Sequence, residues 1–272
     1  MKNVIASIVA VAGIAAAATA QTTIDLQVSL DGIIWDNTVN AAPGQTVQSR
    51  ILFTYTGTAV PLGFASAVVQ PTVSGWGADL NFLGLVNNGQ GANTTSPAGV
   101  VDDVPGSYGR IRPFGRNAYA ATNALKGFVQ ENGGVNYLRI SQTQTTSFPG
   151  GTGNSTGNAG IQIAQLSNVG RTDLDPDFQT GSTNVVGFKF GFTIAAGTTD
   201  FRSLDVNIPL AGIGNRDPLL GGQVYWFSTL TEATGQIRGG VTVDGATVNI
   251  IPAPAALALL GLGGLVGGRR RR

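Results

Sequence analysis

Between positions 23 and 251 the chain alternates apolar and polar residues in short runs, the period-two pattern of strands with one buried face. In the first run, 23–30, Ile24, Leu26, Val28 and Leu30 alternate with Asp25, Gln27 and Ser29. Asp31-Gly32 predicts a tight turn, with a return strand starting at Ile33 to Trp35. Ala42-Pro43-Gly44 is a second turn, followed by a strand over 46–56 with Val47, Ile51, Phe53 and Tyr55 facing inward. Further strands are predicted at 64–73 (interrupted by Pro71), 80–86, 135–145, 161–166, 201–208, 223–229, 236–243 and 246–251. The clearest alternation is 186–194, where Phe188, Phe190, Phe192 and Ile194 face one way and Lys189, Gly191 and Thr193 the other. Those phenylalanines read as core. Ten to twelve short strands punctuated by Gly, Pro and Asn predict an all-β body, a β-sandwich or jelly roll.

Three segments break the pattern. Residues 87–107 are a turn-rich loop, and 147–160 (SFPGGTGNSTGNAG) are low-complexity, without side chains to build a core. Residues 117–129 are alanine-rich, and their spacing predicts one short helix. The two ends differ from the body more sharply. Residues 1–20 read as a secretory signal helix: Lys2 precedes an apolar run from Val4 to Ala18, and Ala18-Thr19-Ala20 is a small-residue cleavage pattern leaving Gln21 first. Residues 21–250 are then the sandwich domain, and 251–272 a terminal segment of another kind.

That segment reads IPAPAALALLGLGGLVGGRRRR. Pro252, Ala253 and Pro254 end the folded body, because proline lacks a backbone N–H and cannot continue a ladder. An uncharged apolar run then leads to Arg269, Arg270, Arg271 and Arg272. Each arginine would cost about 2.5–3.5 kcal/mol at a membrane centre, so the four stop transfer and stay cytoplasmic. At ~1.5 Å per residue the 14 residues from Ala255 to Gly268 make a helix of about 21 Å, against a hydrocarbon core of about 30 Å. Five glycines weaken that helix by up to about 1 kcal/mol each. The run suits temporary retention in the membrane.

This order of parts resembles the PEP-CTERM sorting signal of bacterial exosortase substrates, with Ala253 in place of the usual glutamate. The resemblance covers about 22 residues. It implies a non-catalytic exported protein of the cell surface or extracellular matrix. It also implies as partners the export machinery and an exosortase-type processing enzyme, transient insertion in the inner membrane, and a setting of extracellular polysaccharide and biofilm. The body resembles cohesin-like bacterial sandwiches in APGQTV before a long strand, GFASAVV after it, and VVGFKFGFTIAAGTTDF near the end. That resemblance bears on the fold alone.

Composition narrows the chemistry. The chain has 16 basic and 15 acidic residues; five of the basic ones are Lys2 and the terminal arginines, so the body carries 11 against 15, a net of −4. A mildly acidic body has no electrostatic reason to bind nucleic acid or an anionic membrane surface. There is no cysteine and no histidine, which excludes disulfides, thiol nucleophiles, Ser-His-Asp triads and histidine metal sites. Stability must come from the core. No cofactor is expected, with one exception: Asp173, Asp175 and Asp177 alternate in a loop and form a candidate weak calcium site, set against a plain solvated acidic turn. The loop lacks the Gly and Glu of an EF-hand, having Phe178 and Asn184 there.

Two other functional classes remain open. A carbohydrate- or partner-binding module would use exposed aromatics from Trp35, Trp76, Trp226, Tyr55, Tyr108, Tyr119, Tyr137 and Tyr225, with Tyr225 and Trp226 the candidate ligand residues. Arg110, Arg112 and Arg116 would suit an acidic polysaccharide, set against a solvated or salt-bridged loop. A glycoside hydrolase would need two carboxylates, for which Asp79 near Trp76 and Glu131 before Tyr137 are candidates.

Overall fold

The structure, a computed structural model, describes residues 21–83, 100–114, 125–142, 161–165, 178–209, 224–228, 236–238 and 240–251. The expected signal helix, the terminal segment from Pro252, Arg116, the low-complexity loop and the Asp173, Asp175, Asp177 loop lie outside these residues. Among the described residues there are strands and no helix.

One layer is a seven-stranded mixed sheet. Its strands are β1 (Gln21–Ser29), β3 (Thr46–Tyr55), β6 (Leu80–Leu83), β7 (Val100–Val101), β8 (Gly109–Ile111), β12 (Val185–Ile194) and β16 (Gly240–Asp244). The order is β16-β1-β3-β12-β8-β7, with β6 also pairing β12. The facing layer contains two smaller sheets. In one, β2 (Thr38–Ala41), β17 (Ala246–Ile250), β13 (Arg202–Asn207), β5 (Thr72–Ser74), β10 (Val135–Gln142) and β9 (Leu125–Asn132) lie side by side in that order. The other has the order β11 (Ile161–Ala164), β4 (Gly63–Val69), β14 (Val224–Phe227) and β15 (Gln236–Arg238). Gln70-Pro71 joins β4 to β5 and so links these two sheets, as expected for a strand broken by a proline that has no N–H to donate. The architecture is an all-β sandwich.

The core sits between the layers and is built by the residues that the alternation places inward. Ile24, Leu26 and Val28 of β1, Val47, Ile51, Phe53 and Tyr55 of β3, and Phe188, Phe190, Phe192 and Ile194 of β12 are all buried. Aromatic rings cross the gap: Phe53 stacks on Phe64 at 4.4 Å, and Phe64 meets Phe114 and Trp226 edge-on. The opposite face of β12 is covered too. Tyr108 packs against Gly191, and Lys189 is buried, its Nζ donating to Asp103 Oδ1 (3.1 Å) and to Val104 O (2.7 Å). A side chain on Gly191 would strike the Tyr108 ring.

Several expectations fail. The run 236–243 divides into β15 and β16, which belong to different sheets, and Val100–Val101 of the expected loop form β7. Two further differences have identifiable local reasons. The stretch 33–35 is no return strand. Asp31 Oδ1 accepts hydrogen bonds from Ile33 N and Ile34 N, both 2.8 Å, so those N–H groups are not free to enter a ladder. Only Asp36 bridges back to Val28. Ile33 and Ile34 are consequently left 72% and 74% exposed. The predicted helix is contradicted over Leu125–Val129, which belongs to β9; residues 117–124 lie outside the described set. Strand β9 pairs with β10 along its whole length, from Asn132↔Val135 to Leu125↔Gln142, through the two-residue turn Gly133-Gly134. Both glycines have positive φ (61° and 83°), which that hairpin turn requires and other residues adopt poorly. Leu125–Val129 itself contains no alanine: Phe128 and Val129 favour a strand, and Gly127 disfavours a helix.

Trp226, 1% exposed, donates from its indole nitrogen to Thr22 Oγ1 at 2.9 Å, tying β14 to the start of β1 across the sandwich. Thr22→Val should strand that donor and cost about 1–3 kcal/mol. Trp226→Ala should cost about 3–5 kcal/mol through the cavity it leaves. Chemical denaturation of the two variants tests both, and a Thr22→Val curve superimposing on wild type would deny the bond a role.

Candidate functional site

The chain segments that open at one end of the sandwich form a groove of about 680 Å³. It is lined by the Gly75–Asp79 loop, by Gly134, Val135 and Asn136 of the β9–β10 hairpin, and by Gly197–Asp200 with Arg202. These loops are built from small residues because strands β5, β10 and β13 converge there. Gly75 has a φ of 73°, and a Cβ on Gly77 would press on Asp79 and Arg202. Asp79 is the centre of the groove's polar chemistry. Its Oδ1 accepts from Arg202 Nη2 at 2.6 Å and its Oδ2 from Thr198 Oγ1 at 2.9 Å. Partial burial pushes the Asp79 pKa up, but the bonds from Arg202 and Thr198 outweigh it and hold the carboxyl below its ordinary value. Asp200, the other acid of the groove, is 80% exposed and stands 3.8 Å from the same arginine.

That geometry bears on the glycosidase expectation. A general acid must keep a proton near neutral pH, and Asp79 is held ionised by a guanidinium. The nearby Trp76 offers no stacking face: it is 6% exposed and its ring packs edge-on against Phe192. Glu131, the second candidate, accepts a hydrogen bond from Gly134 N and so closes the hairpin turn.

The structure also removes Trp226 as a ligand residue. Its ring lies in the core between Phe64 and Tyr55. Tyr225, its neighbour on β14, is half-buried and faces the other way. Phe227 shares that outer face and packs against Phe178. Tyr225 and Trp226 therefore cannot form one binding surface. The remaining aromatics are spread out: Tyr55 is buried beside Trp226, Tyr108 covers β12, and Trp35 lies under two cations. Arg50 sits 4.5 Å and Lys189 Nζ 5.5 Å from the Trp35 ring centre, a contact no spacing rule would have found. Tyr119 is outside the described residues.

The arginine cluster separates likewise. Arg110 is fully buried, and desolvation pushes its pKa down to about 10. Arg112 is exposed and pairs with Asp102 at 3.0 Å. No group of three or more potential metal-ligating side chains occurs among the described residues, from which Asp173, Asp175 and Asp177 are excluded.

Asp79→Asn should lower stability at neutral pH by about 1–3 kcal/mol, because Arg202 would lose its charged partner in a partly buried place. Since the folded carboxyl titrates below its ordinary value of 3.8, its stabilisation is present above that pH and lost as the pH falls through the folded value. Wild type and variant should thus converge in acid. Urea titrations at neutral and acid pH measure it, and a difference that persists in acid would remove the ion pair as the cause.

Among known proteins, no family model and no curated sequence matches this chain. Solved structures give distant similarities. The sixth cohesin of scaffoldin B from Acetivibrio cellulolyticus, solved with a mutant dockerin, shares 16% identity over 86% of this chain and 99% of its own, with a TM-score of 0.29. The third ScaC cohesin from the same organism, solved with the ScaB dockerin, shares 9% over 85% and 99%, with a TM-score of 0.30. A type III cohesin from the ScaE cell-surface anchoring scaffoldin of Ruminococcus flavefaciens shares 12% over 86% and 87%, with a TM-score of 0.29. Similarity at that level carries nothing about what this chain binds.

Proposed function

We propose that the chain is a non-catalytic exported protein of the cell surface or extracellular matrix, placed by its two ends. Residues 1–20 direct export, and residues 252–272 act as an exosortase-type sorting segment that holds the product in the membrane until it is cut near Pro252–Pro254.

The observation that carries this reading is where the sandwich stops. Ile250 is buried in β17, and Ile251 N donates the last described backbone bond, to Ala41 O at 2.9 Å. Pro252, Ala253 and Pro254 follow at once, then the uncharged run and the four arginines. A terminal run of that kind ending in four arginines suits a membrane far better than a protein interior. At the other end the Ala18-Thr19-Ala20 pattern, which would leave Gln21 first, leads directly into β1, described from Gln21.

A second reading, a partner-binding module, rests on the open groove around Asp79 and Arg202. That groove has no exposed aromatic face and no free cation among its described lining residues, so it makes the weaker case.

Mass spectrometry of both termini of the protein from its native cells tests the proposal. The expected mature chain begins at Gln21 and ends near Pro252–Pro254. A chain retaining Arg269 to Arg272 in the membrane fraction would overturn processing and leave a tail-anchored envelope protein.

A further inference from the structure

The register of the strands fixes where the two ends of the body emerge. Strand β1 runs parallel to β16, with Gln21 beside Gly240. Strand β16 passes through Gly245 into β17, which pairs in parallel with β2 and shares no ladder with β16. The chain therefore keeps its heading from Gly240 to Ile251, and at 3.2–3.4 Å per residue those eleven steps span about 35 Å. Gln21 and Ile251 lie at opposite poles.

Exposed apolar side chains gather at the Ile251 pole. Strand β1 ends there, since Ser29 pairs with Gln48 near the start of β3, and the turn that follows carries Leu30, Ile33 and Ile34. Phe201 precedes Arg202, the partner of Ile250, and Val135 opens β10 beside the groove. Their exposures are 37%, 72% and 74% for Leu30, Ile33 and Ile34, 61% for Phe201, 40% for Val135 and 38% for Ile251. Of the other large exposed hydrophobics among the described residues, Val60 lies beyond Tyr55 at the far pole, and Val104 and Val129 lie along the faces. Arg202, the cation at this pole, is engaged by Asp79 and Asp200.

We infer that this pole docks on the lipid surface while the sorting segment is inserted, so that the body rests directly on the bilayer. The inference depends on the membrane reading of residues 252–272. The chain's own length supplies the argument. The apolar run begins at Ala255, four residues after Ile251, and four residues reach at most about 14 Å. An inserted run therefore brings Ile251, and the apolar side chains of its pole, to the interfacial layer. Phe, Ile and Val side chains there gain by entering the headgroup–acyl boundary. Arg202 is outnumbered by Asp79 and Asp200, and exposed Asp31 adds a further negative charge, so any attraction to the bilayer is apolar and should not weaken at high salt.

The absence of cysteine makes the test direct. Ile33→Cys, Phe201→Cys and Val60→Cys, each in the exported chain that retains Arg269 to Arg272, are labelled with an environment-sensitive fluorophore. The chains are reconstituted in phosphatidylcholine–phosphatidylglycerol vesicles carrying lipids spin-labelled near the headgroup. Blue-shifted, quenched emission at positions 33 and 201, unchanged by salt and absent at position 60, is the expected result. Chains that float with the vesicles while all three labels stay in water would overturn docking and leave insertion standing. Chains that do not float would overturn the anchoring reading and docking together. Shifts at 33 and 201 that appear only at high protein-to-lipid ratio, without quenching, would assign the pole to contacts between copies and also overturn the proposal.

Discussion

With no cysteine to bridge its layers, the sandwich is held by aromatic side chains that cross between sheets, and Trp226 stands at their junction. Its ring meets Phe64 at 5.4 Å and Tyr55 at 5.7 Å, and its one polar atom finds Thr22 on the far layer. Buried indole needs such a partner, since an unpaired N–H in an apolar interior is costly. The partner sits on the second residue of β1. Strand β1 in turn lies between β3 and β16, so the first residues of the body are as deeply built in as any. Closure of the sandwich thus depends on the first described residues of β1.

At the other end, the continuous run from β16 to β17 crosses from one layer to the other and ends at Ile250, two positions before Pro252. The described strands reach from Gln21 to Ile250, with only Ile251 before Pro252. Processing at Gln21 or at Pro252–Pro254, as proposed, would take place within a few residues of a hydrogen-bonded strand. A terminus fixed at one pole also fixes the orientation of the body relative to whatever holds it. A flexible spacer would have let the sandwich tumble and would have made the distribution of its exposed side chains irrelevant.

Legibility in the sequence followed the physics of alternation. Where one face meets the core and the other is polar, as in β1, β3 and β12, the period of two identified strands and inward residues correctly. It failed where a local side chain took over the backbone, as Asp31 does with the N–H groups of Ile33 and Ile34. It failed again at Leu125–Val129, to which the alanine spacing of the preceding residues does not extend and whose own composition suits a strand. The site was less legible than the fold. Asp79 and Trp76 were rightly placed near one another, but their partner Arg202 lies more than a hundred positions away, and nothing local signals the ion pair. Trp226 looked like a ligand residue because sequence does not reveal which face of an aromatic triplet meets the core. The covering of Lys189 and Gly191 by the 102–108 segment was invisible for the same reason: alternation marks two faces but not whether the second is solvated.

The exposed side chains of the Ile251 pole acquire meaning only when these threads are joined. Singly, an exposed isoleucine or phenylalanine on a folded body needs no explanation. Ile33 and Ile34 are exposed because Asp31 holds their backbone in a turn, and Phe201 because it precedes the strand that anchors Ile250. These are unrelated local causes with one spatial outcome, exposed apolar side chains at the pole where Ile251 lies, set among the carboxylates of Asp31 and Asp200. A body released into water would gain nothing from that arrangement. A body held within about 14 Å of a bilayer would, because the cost of exposing each side chain is relieved by the same surface that the terminal segment enters. On the proposed reading, the distribution of apolar surface on the sandwich and the composition of the segment beyond Pro252 answer to a single constraint, the four-residue span from Ile251 to the apolar run at Ala255.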